Sequence, residues 1–547
     1  MDKLTLHDLI EESVLKFGKN EFVAYAGKNT ITYFQFYIEM KKIITFLKEY
    51  NLEKGDRVAI IGDNSPNWIK IYAAVVYSGL TIVPILPDFP QSDIHHIIRN
   101  SGAKIVFVAK NYLYKLEDFE HKQVQDIIQI ENFTSIHNSE KKLDFSIYET
   151  DHLIFGTVEE NDLAAIIYTS GTTGHSKGVM LTHKNLTSDV INSLKLFPVT
   201  QNDIFLSILP IAHTFECTAS FLVGIAVGLK LFFLKGTPSP KTLLSALSLV
   251  RPTAFMSVPL IFEKIYRKQV LAKFNSNPLT ARLYKIPFFR KKLNKIAGNK
   301  LKQLFGGRLR FVMFGGAALS KDVEQFLQDA NFPYSTGYGL TETSPILTIN
   351  PINNVKLGSC GKPIMEVEIK IDNPDAEGVG EILAKGPNIM KGYYNNPEET
   401  AKAFTKDGWF KTGDLGYIDE EGYLFIKGRS KNVIIGPNGK NIYPEIIEQK
   451  LCQFPYIQQA IVYDENNKLI AKVYPDYDAI DEYLKKSKNE QNPQKIIQKL
   501  LESIKKEINQ DLPSFSQITK LIEHPEPFSI TPTKKVKRYL YINKSNT

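Results

Sequence analysis

The chain holds only three cysteines in 547 residues, Cys217, Cys360 and Cys452, far apart and without the close spacing of metal-ligand pairs. That scarcity excludes a disulfide framework and a zinc site, and it fits a reducing, cytoplasmic setting. Long apolar runs are lacking too. The longest uncharged apolar stretch, Cys217 to Leu229, is too short to cross a bilayer. The start, Met1-Asp2-Lys3-Leu4, leads into a segment with acids in its first two turns and no apolar core of signal length. Asp and Glu are absent from residues 264–310, which carry fourteen Lys or Arg residues. What remains is ordinary: 43% hydrophobic and 23% charged residues describe a soluble globular protein, long enough for more than one domain and a sizeable core.

The acid-free segment supplies much of the unevenness behind a formal net charge of +8. Leu271, Phe274, Leu283, Tyr284, Phe288, Phe289 and Leu293 are interleaved with its basic residues. A solvated helical face would look like this. So would a surface for something anionic, either lipid headgroups at a peripheral membrane contact or an acidic carrier protein. No nucleic-acid-binding module accompanies the patch, so no nucleic acid partner is expected.

Periodicity organises the rest. Residues 4–18 predict an amphipathic helix with Leu6, Leu9, Ile10, Val14 and Leu15 on one side. Phe22–Tyr25 and Ile31–Tyr33 predict strands joined by a Gly-Lys-Asn turn. Val58–Ile61 then predicts a buried parallel strand, Trp68–Ser78 a helix and Ile82–Ile85 a second strand. The rhythm returns at Ile105–Val108 and from Ile204 to Leu234, which argues for a doubly wound α/β layer. Gly422–Ile426 predicts a strand, and the polar connector from Gly428 to Asn432 marks a boundary. Beyond it, amphipathic helices between Asp481 and Gln510 fit a small α+β domain, and Pro525 to Lys537 predicts a long loop.

Between two apolar runs, Leu163–Ile167 and Val179–Leu181, lies the densest chemical signal: Thr169-Ser170-Gly171-Thr172-Thr173-Gly174-His175-Ser176-Lys177-Gly178. Glycines let backbone N–H groups converge on an oxyanion, hydroxyls add donors, and Lys177 supplies a point charge. These are the parts of a polyphosphate cradle. A P-loop NTPase needs four residues between its glycines and a Lys followed by Ser or Thr. Here two residues separate Gly171 from Gly174, and Gly178 follows Lys177, so the loop is of another kind.

Further motifs follow in order. His213 lies in Leu209-Pro210-Ile211-Ala212-His213-Thr214-Phe215-Glu216, after a strand. Gly315, Gly316 and Ala317 end the apolar run Phe311–Phe314, where α/β sheets place ligands. Tyr338 between Gly337 and Gly339 offers an aromatic face to a purine. Thr341 can bond a phosphate oxygen, and Glu342 is a hard carboxylate for Mg²⁺. Asp414 can accept from ribose hydroxyls, and Arg429 brings fixed fork donors.

Taken together, the segment from Thr169 to Val179 and these later motifs resemble the adenylate-forming superfamily, over nearly the whole chain. Val258-Pro259-Leu260-Ile261-Phe262-Glu263-Lys264-Ile265-Tyr266 and Gly315–Ser320 are similar to its long-chain fatty acid:CoA ligases in particular. The resemblance implies a large domain, residues 1–428, of doubly wound αβ subdomains plus a small β-barrel subdomain, and a mobile C-terminal α+β domain, residues 429–547. It implies that Thr169, Ser170, Gly171, Thr172, Thr173, Gly174 and Lys177 hold the β- and γ-phosphates of ATP. In the family, Gly315, Gly316, Ala317, Tyr338 and Gly339 border adenine, His213 lines the acyl and nucleotide site, and Lys431 matches the hinge. Gly439 falls in the loop that swings in for thioester formation. Pro532-Thr533-Lys534-Lys535-Val536-Lys537-Arg538 resembles the motif with the adenylation lysine, assigned here to Lys535 with Lys534 as the alternative.

The implied reaction activates a long-chain fatty acid with ATP and Mg²⁺ to acyl-AMP, then passes the acyl group to coenzyme A. Acyl carrier protein is the alternative acceptor, and a non-catalytic nucleotide- or acyl-binding protein is the alternative outside enzymology. Acyl chain length, oligomeric state and pathway are not specified by these motifs.

Overall fold

The computed structural model describes residues 3–120, 122–136, 142–143, 154–169, 176–236, 239–352, 354–436, 439–487, 493–531 and 536–542. Two sheets with parallel centres dominate it. One has the strand order Gly392–Tyr393, Lys177–Thr182, Leu163–Thr169, Thr81–Ile85, Arg57–Ile61, Ala103–Val108, Asp126–Gln129. Its last five strands run parallel, and Lys177–Thr182 turns back antiparallel. The other runs parallel through Tyr334–Gly339, Phe311–Phe314, Ala254–Ser257, Ile204–Ser207, Lys230–Phe233 and Glu21–Tyr25. Antiparallel strands flank both ends: Ile31–Thr32 on one side, Ile346–Ile349 and Lys362–Pro363 on the other.

Continuous apolar strands such as Val58–Ile61 are fully buried because helices cover both faces of a parallel sheet. The first helix spans Leu6–Phe17, with Thr5 accepting from the Asp8 N–H as its cap. The helix expected from Trp68 lies at Pro66–Tyr77 and starts two residues earlier, since Ser65 caps it and Pro66 takes the first helical position. Tyr33, expected to extend a strand, instead opens the helix Tyr33–Leu47. Thr32 and Gln35 form a reciprocal capping box there, a local device that outweighs the aromatic strand preference.

A four-stranded antiparallel sheet, in the order Glu368–Asp372, Gly380–Lys385, Phe410–Ile418, Leu424–Arg429, makes up the small β-subdomain. After Arg429 the chain forms the hairpin Ile434–Ile435/Asn441–Ile442 and an α+β unit. That unit has strands Ile457–Glu465, Lys468–Pro475 and Lys520–Glu523 under helices Pro444–Leu451 and Pro493–Gln510. Its apolar core (Leu451, Val462, Ala471, Val473, Ile504) is a cluster distinct from the one that runs from Leu6 to Phe410.

The basic segment is helical, with Pro278–Tyr284 and Pro287–Leu304 as its outer helices. Several of its cations have structural work. Arg310 Nη1 donates to both oxygens of the buried Asp203 at 2.6 and 2.7 Å, and Arg290 pairs with Asp329 at 3.0 Å. The Arg267 guanidinium donates to the Cys452 carbonyl across to the C-terminal unit. Exposed on the outer helices are Leu279, Ile286, Phe288 and Ile296, together with Lys285, Lys291, Lys292 and Lys295. Cys217, Cys360 and Cys452 are free thiols. No helix among the described residues is long and apolar enough to cross a membrane.

Candidate active site

Parallel strands deliver their side chains to the C-terminal edge of a sheet, and four neighbouring strands do so here. Ile204–Ser207 leads to His213, Ala254–Ser257 to Val258, Phe311–Phe314 to Gly315, and Tyr334–Gly339 to Glu342. Asn64 holds the first exit in place. Its amide donates to Ser207 Oγ at 2.9 Å and to the Leu209 carbonyl at 2.6 Å, while its Oδ1 accepts from the Ile211 N–H at 2.8 Å. Gly315 sits flat against Phe215, since a Cβ there would come within 3.0 Å of that ring. The 213–216 and 315–317 segments are therefore adjacent, with half-buried His213 at the start of its helical turn. Gly316 has φ +82°, a conformation that favours glycine.

Tyr338 donates a 2.7 Å hydrogen bond to Asp414 Oδ2, and Arg429 Nε lies 2.6 Å from Asp414 Oδ1. Asp414 and Arg429 are cross-strand partners in the β-subdomain, so the adjacent strands fix this pairing. The Tyr338 ring is half-buried; its hydroxyl is deep, and burial with the Asp414 charge behind it pushes its pKa well up. The flanking glycines have a reason the sequence did not show. A Cβ on Gly339 would lie 1.6 Å from the Pro345 carbonyl oxygen, and one on Gly337 2.9 Å from that of Thr348. They admit the returning strand Ile346–Ile349.

Thr341 and Glu342 sit on a single helical turn, Thr341–Thr343, between the strands Tyr334–Gly339 and Ile346–Ile349. Asn388 ties the turn down, donating to the Thr343 carbonyl at 3.0 Å and the Ile346 carbonyl at 2.7 Å. Behind it, the fully buried Asp189 accepts from the Ile346 N–H at 3.4 Å, and burial raises its pKa far above the usual range. Glu342 Oε1 accepts from the Tyr393 hydroxyl at 2.9 Å. The Lys177 ammonium lies 5.3 Å from the centre of the Tyr393 ring and pairs with Glu399.

Thr169 and Lys177 face each other as the last and first residues of two paired strands. Ser170, Gly171, Thr172, Thr173 and Gly174, between them, lie outside the described residues, as do Lys534 and Lys535. Lys431 is exposed on the turn Ser430–Asn432, and Gly439 adopts φ +74° in the Ile434–Ile442 hairpin with open space around its Cα. Both stand at the edge of the C-terminal unit. Sequence reasoning passed over Asn64, Asp189, Asn388, Tyr393 and Glu399. Four of these are polar residues without a local motif, and Tyr393 sits in Gly392-Tyr393-Tyr394-Asn395-Asn396-Pro397, which looks like a turn.

Residues 10–394 match the family model described as AMP-binding enzyme. The chain belongs to the AMP-binding enzyme family. Among curated members, it is 30% identical to the long-chain-fatty-acid–CoA ligase ACSBG2 of Gallus gallus, over 85% of this chain and 66% of that one. It is 28% identical to fatty acyl-CoA synthetase B of Dictyostelium discoideum, over 98% of this chain and 88% of that one. Among solved structures, ATP-bound MatB from Rhodopseudomonas palustris superposes with a TM-score of 0.76 at 24% identity, each chain covered over 98%. That likeness establishes the adenylate-forming fold: doubly wound αβ subdomains, a β-subdomain and a C-terminal α+β unit. Within this AMP-binding enzyme, Tyr338 and Arg429 meet at Asp414, and Glu342 and Lys177 meet at Tyr393.

Proposed function

We propose that the chain is an ATP-dependent, AMP-forming long-chain fatty acid:CoA ligase. The observation that carries this is a pair of contact chains joined by the short backbone from Tyr338 to Glu342. Arg429, Asp414 and Tyr338 form one; Glu342, Tyr393 and Lys177 form the other. Tyr338 offers its ring to adenine, and Asp414 and Arg429 offer an acceptor and a fork to the ribose. Lys177, at the mouth of the Thr169–Gly174 loop, takes the polyphosphate, and Gly315, Gly316 and Ala317 border the base beside His213.

Glu342 fits as the protein's Mg²⁺ ligand. Mg²⁺ keeps most of its waters and takes one or two carboxylates, and Glu342 presents one carboxylate beside the Tyr393–Lys177 contact. When bound, the ion supplies charge neutralisation for the phosphates. A fatty carboxylate attacking the α-phosphorus is an encounter of two anions, so the chain's own share is positioning and positive charge, from Lys177 and from Lys535. No side-chain nucleophile is needed. Pyrophosphate leaves, the CoA thiol attacks the acyl-AMP carbonyl, and AMP departs. The names of the chicken and Dictyostelium relatives support CoA, rather than acyl carrier protein, as acceptor.

We place the domain boundary at Gly428, with Lys431 as the hinge of the mobile 429–547 domain; the separate apolar cores on either side support it. Lys535→Ala should abolish adenylation yet spare thioester formation from supplied acyl-adenylate, and Lys534→Ala should spare both. The reverse pattern moves the role to Lys534. The exposed cationic and apolar helices of 264–310 support a cytoplasmic enzyme that collects fatty acid at an anionic membrane surface.

The deciding experiment gives purified protein ATP, Mg²⁺, CoA and fatty acids of graded length. AMP and pyrophosphate released with the longer acids, and acyl-CoA formed, are expected. ATP binding without AMP release from any acid would leave a binding protein and overturn the assignment.

A further inference from the structure

Two residues outside every motif used above touch the two charged groups on which the proposed chemistry turns. Glu399 lies in the first turn of the helix Pro397–Ala403, and its N–H is capped by Asn396 at 3.1 Å. Its carboxylate pairs with Lys177 and, at 3.1 Å, with Lys402, which together hold its pKa below the usual carboxylate range. Tyr393 stands between Lys177 and Glu342, its ring 5.3 Å from the ammonium and its hydroxyl 2.9 Å from the Glu342 carboxylate.

Backbone bonds fix this arrangement. Tyr393 is the cross-strand partner of Val179, two residues from Lys177, and the Tyr394 N–H donates to the Gly178 carbonyl at 2.7 Å. Thr400 Oγ1 accepts from the Tyr393 N–H at 2.9 Å and donates to the Asn396 carbonyl at 2.8 Å, joining the helix to the strand. A Cβ on Gly392 would lie 2.7 Å from Thr400 Cγ2, so strand and helix meet in close contact. Lys177, Tyr393 and Glu399 are thus held on joined elements.

A lysine ammonium on a four-carbon stem samples many rotamers, and a carboxylate beside a divalent ion must present its oxygens in one orientation. We infer that Glu399 and Tyr393 are positioning residues, Glu399 aiming the Lys177 ammonium at the nucleotide polyphosphate and Tyr393 orienting the Glu342 carboxylate toward the Mg²⁺ that accompanies it. This rests on the ligase assignment. Glu399 also sets a negative charge against Lys177. Removing that charge strengthens the ground-state pull on ATP while leaving the ammonium unaimed, so affinity and turnover should separate.

The test compares wild-type protein with Glu399→Gln, Glu399→Asp, Tyr393→Phe and Tyr393→Leu. It reads acid-dependent pyrophosphate release, titration calorimetry of ATP with and without Mg²⁺, and thermal midpoints. Expected for Glu399→Gln is a kcat about tenfold lower with ATP affinity unchanged or tighter, and partial rescue of kcat in Glu399→Asp. Tyr393→Phe should weaken the Mg²⁺-dependent part of ATP binding about tenfold and leave Mg²⁺-free binding alone. Tyr393→Leu, which also loses the ring under Lys177, should weaken both. Uniform loss of kcat and affinity tracking a lowered midpoint, without rescue by Asp, would mean a structural role and overturn the inference. Wild-type behaviour in Tyr393→Phe and Glu399→Gln would overturn it equally. Wild-type protein that never releases pyrophosphate defeats the ligase assignment instead, a result visible before any variant is compared.

Discussion

The Tyr338 hydroxyl donates at 2.7 Å to Asp414, a carboxylate 5% exposed whose other oxygen lies 2.6 Å from Arg429. A parallel αβ sheet and an antiparallel β-subdomain therefore meet through one carboxylate. Asp414→Ala strands both partners, and loss of a charge-assisted bond costs about 1.5–3 kcal/mol. ATP affinity is expected to fall about 10- to 100-fold, read as KM for ATP and by direct titration. Tyr338→Phe keeps the ring and the Arg429 pair, so its effect should be under about tenfold. Equal losses in the two variants would refute this split.

Glu216 follows His213 by three residues and is fully buried; among the described residues neither of its oxygens has a hydrogen bond of good geometry, and the Ser207 and Ser220 hydroxyls lie near enough only to pull on its charge. Burial pushes its carboxyl up to about 8, against a smaller pull from the Ser207 and Ser220 hydroxyls. The folded pKa lies above the unfolded one, so between about pH 4.5 and 8 the unfolded chain has released a proton that the folded chain keeps. Stability from this group is present below that window and lost across it as pH rises, by about 1 kcal/mol per pH unit. Glu216→Gln removes the titration. The thermal midpoint of wild type minus that of the variant should fall steadily from pH 5 to pH 8; a flat difference would contradict a neutral buried Glu216.

How legible was this in the sequence? The meeting of Tyr338, Asp414 and Arg429 was foreshadowed because their motifs are local and their order matches a known family, whereas Ser170–Gly174 of the phosphate loop lie outside the described residues. The central strands were readable because buried parallel strands are written as unbroken apolar runs, as at Val58–Ile61. Tyr33 misled, since a capping box is decided by Thr32 and Gln35 rather than by the aromatic itself. Asn64, Asp189 and Asn388 were invisible for a different reason. Each acts across more than a hundred residues of chain, Asn64 on Ser207, Asp189 on Ile346 and Asn388 on Asp189, and nothing in their neighbours announces it.

Gly339 tests the newly found reason for a motif glycine. Its missing Cβ leaves room for the Pro345 carbonyl oxygen at 1.6 Å, a backbone atom that cannot swing aside. Gly339→Ala should cost about 3 kcal/mol or more and displace the Glu342 turn. Gly337→Ala, where the approach is 2.9 Å, should cost less. Thermal midpoints of the two variants decide the matter, and a Gly339→Ala midpoint equal to wild type would mean that the returning strand yields freely.

The basic segment 264–310 carries an exposed face of lysines and apolar side chains. Phe288 is 62% exposed with Lys292 4.4 Å over its ring, and Leu279, Ile296, Lys291 and Lys295 are exposed too. The apolar side chains can enter a headgroup layer while the lysines meet anionic lipid, each contributing about 1 kcal/mol at low salt. Arg290 and Arg310 are excluded from that count because Asp329 and Asp203 already hold them. Wild-type protein should sediment with phosphatidylglycerol vesicles at low salt and be released as salt screens the charges. Lys291→Glu with Lys292→Glu should abolish binding to these vesicles, Phe288→Ala should weaken it several-fold, and both should leave turnover on soluble, short-chain acids unchanged. Equal binding of wild type and the double variant would reduce the patch to a solvated helical face.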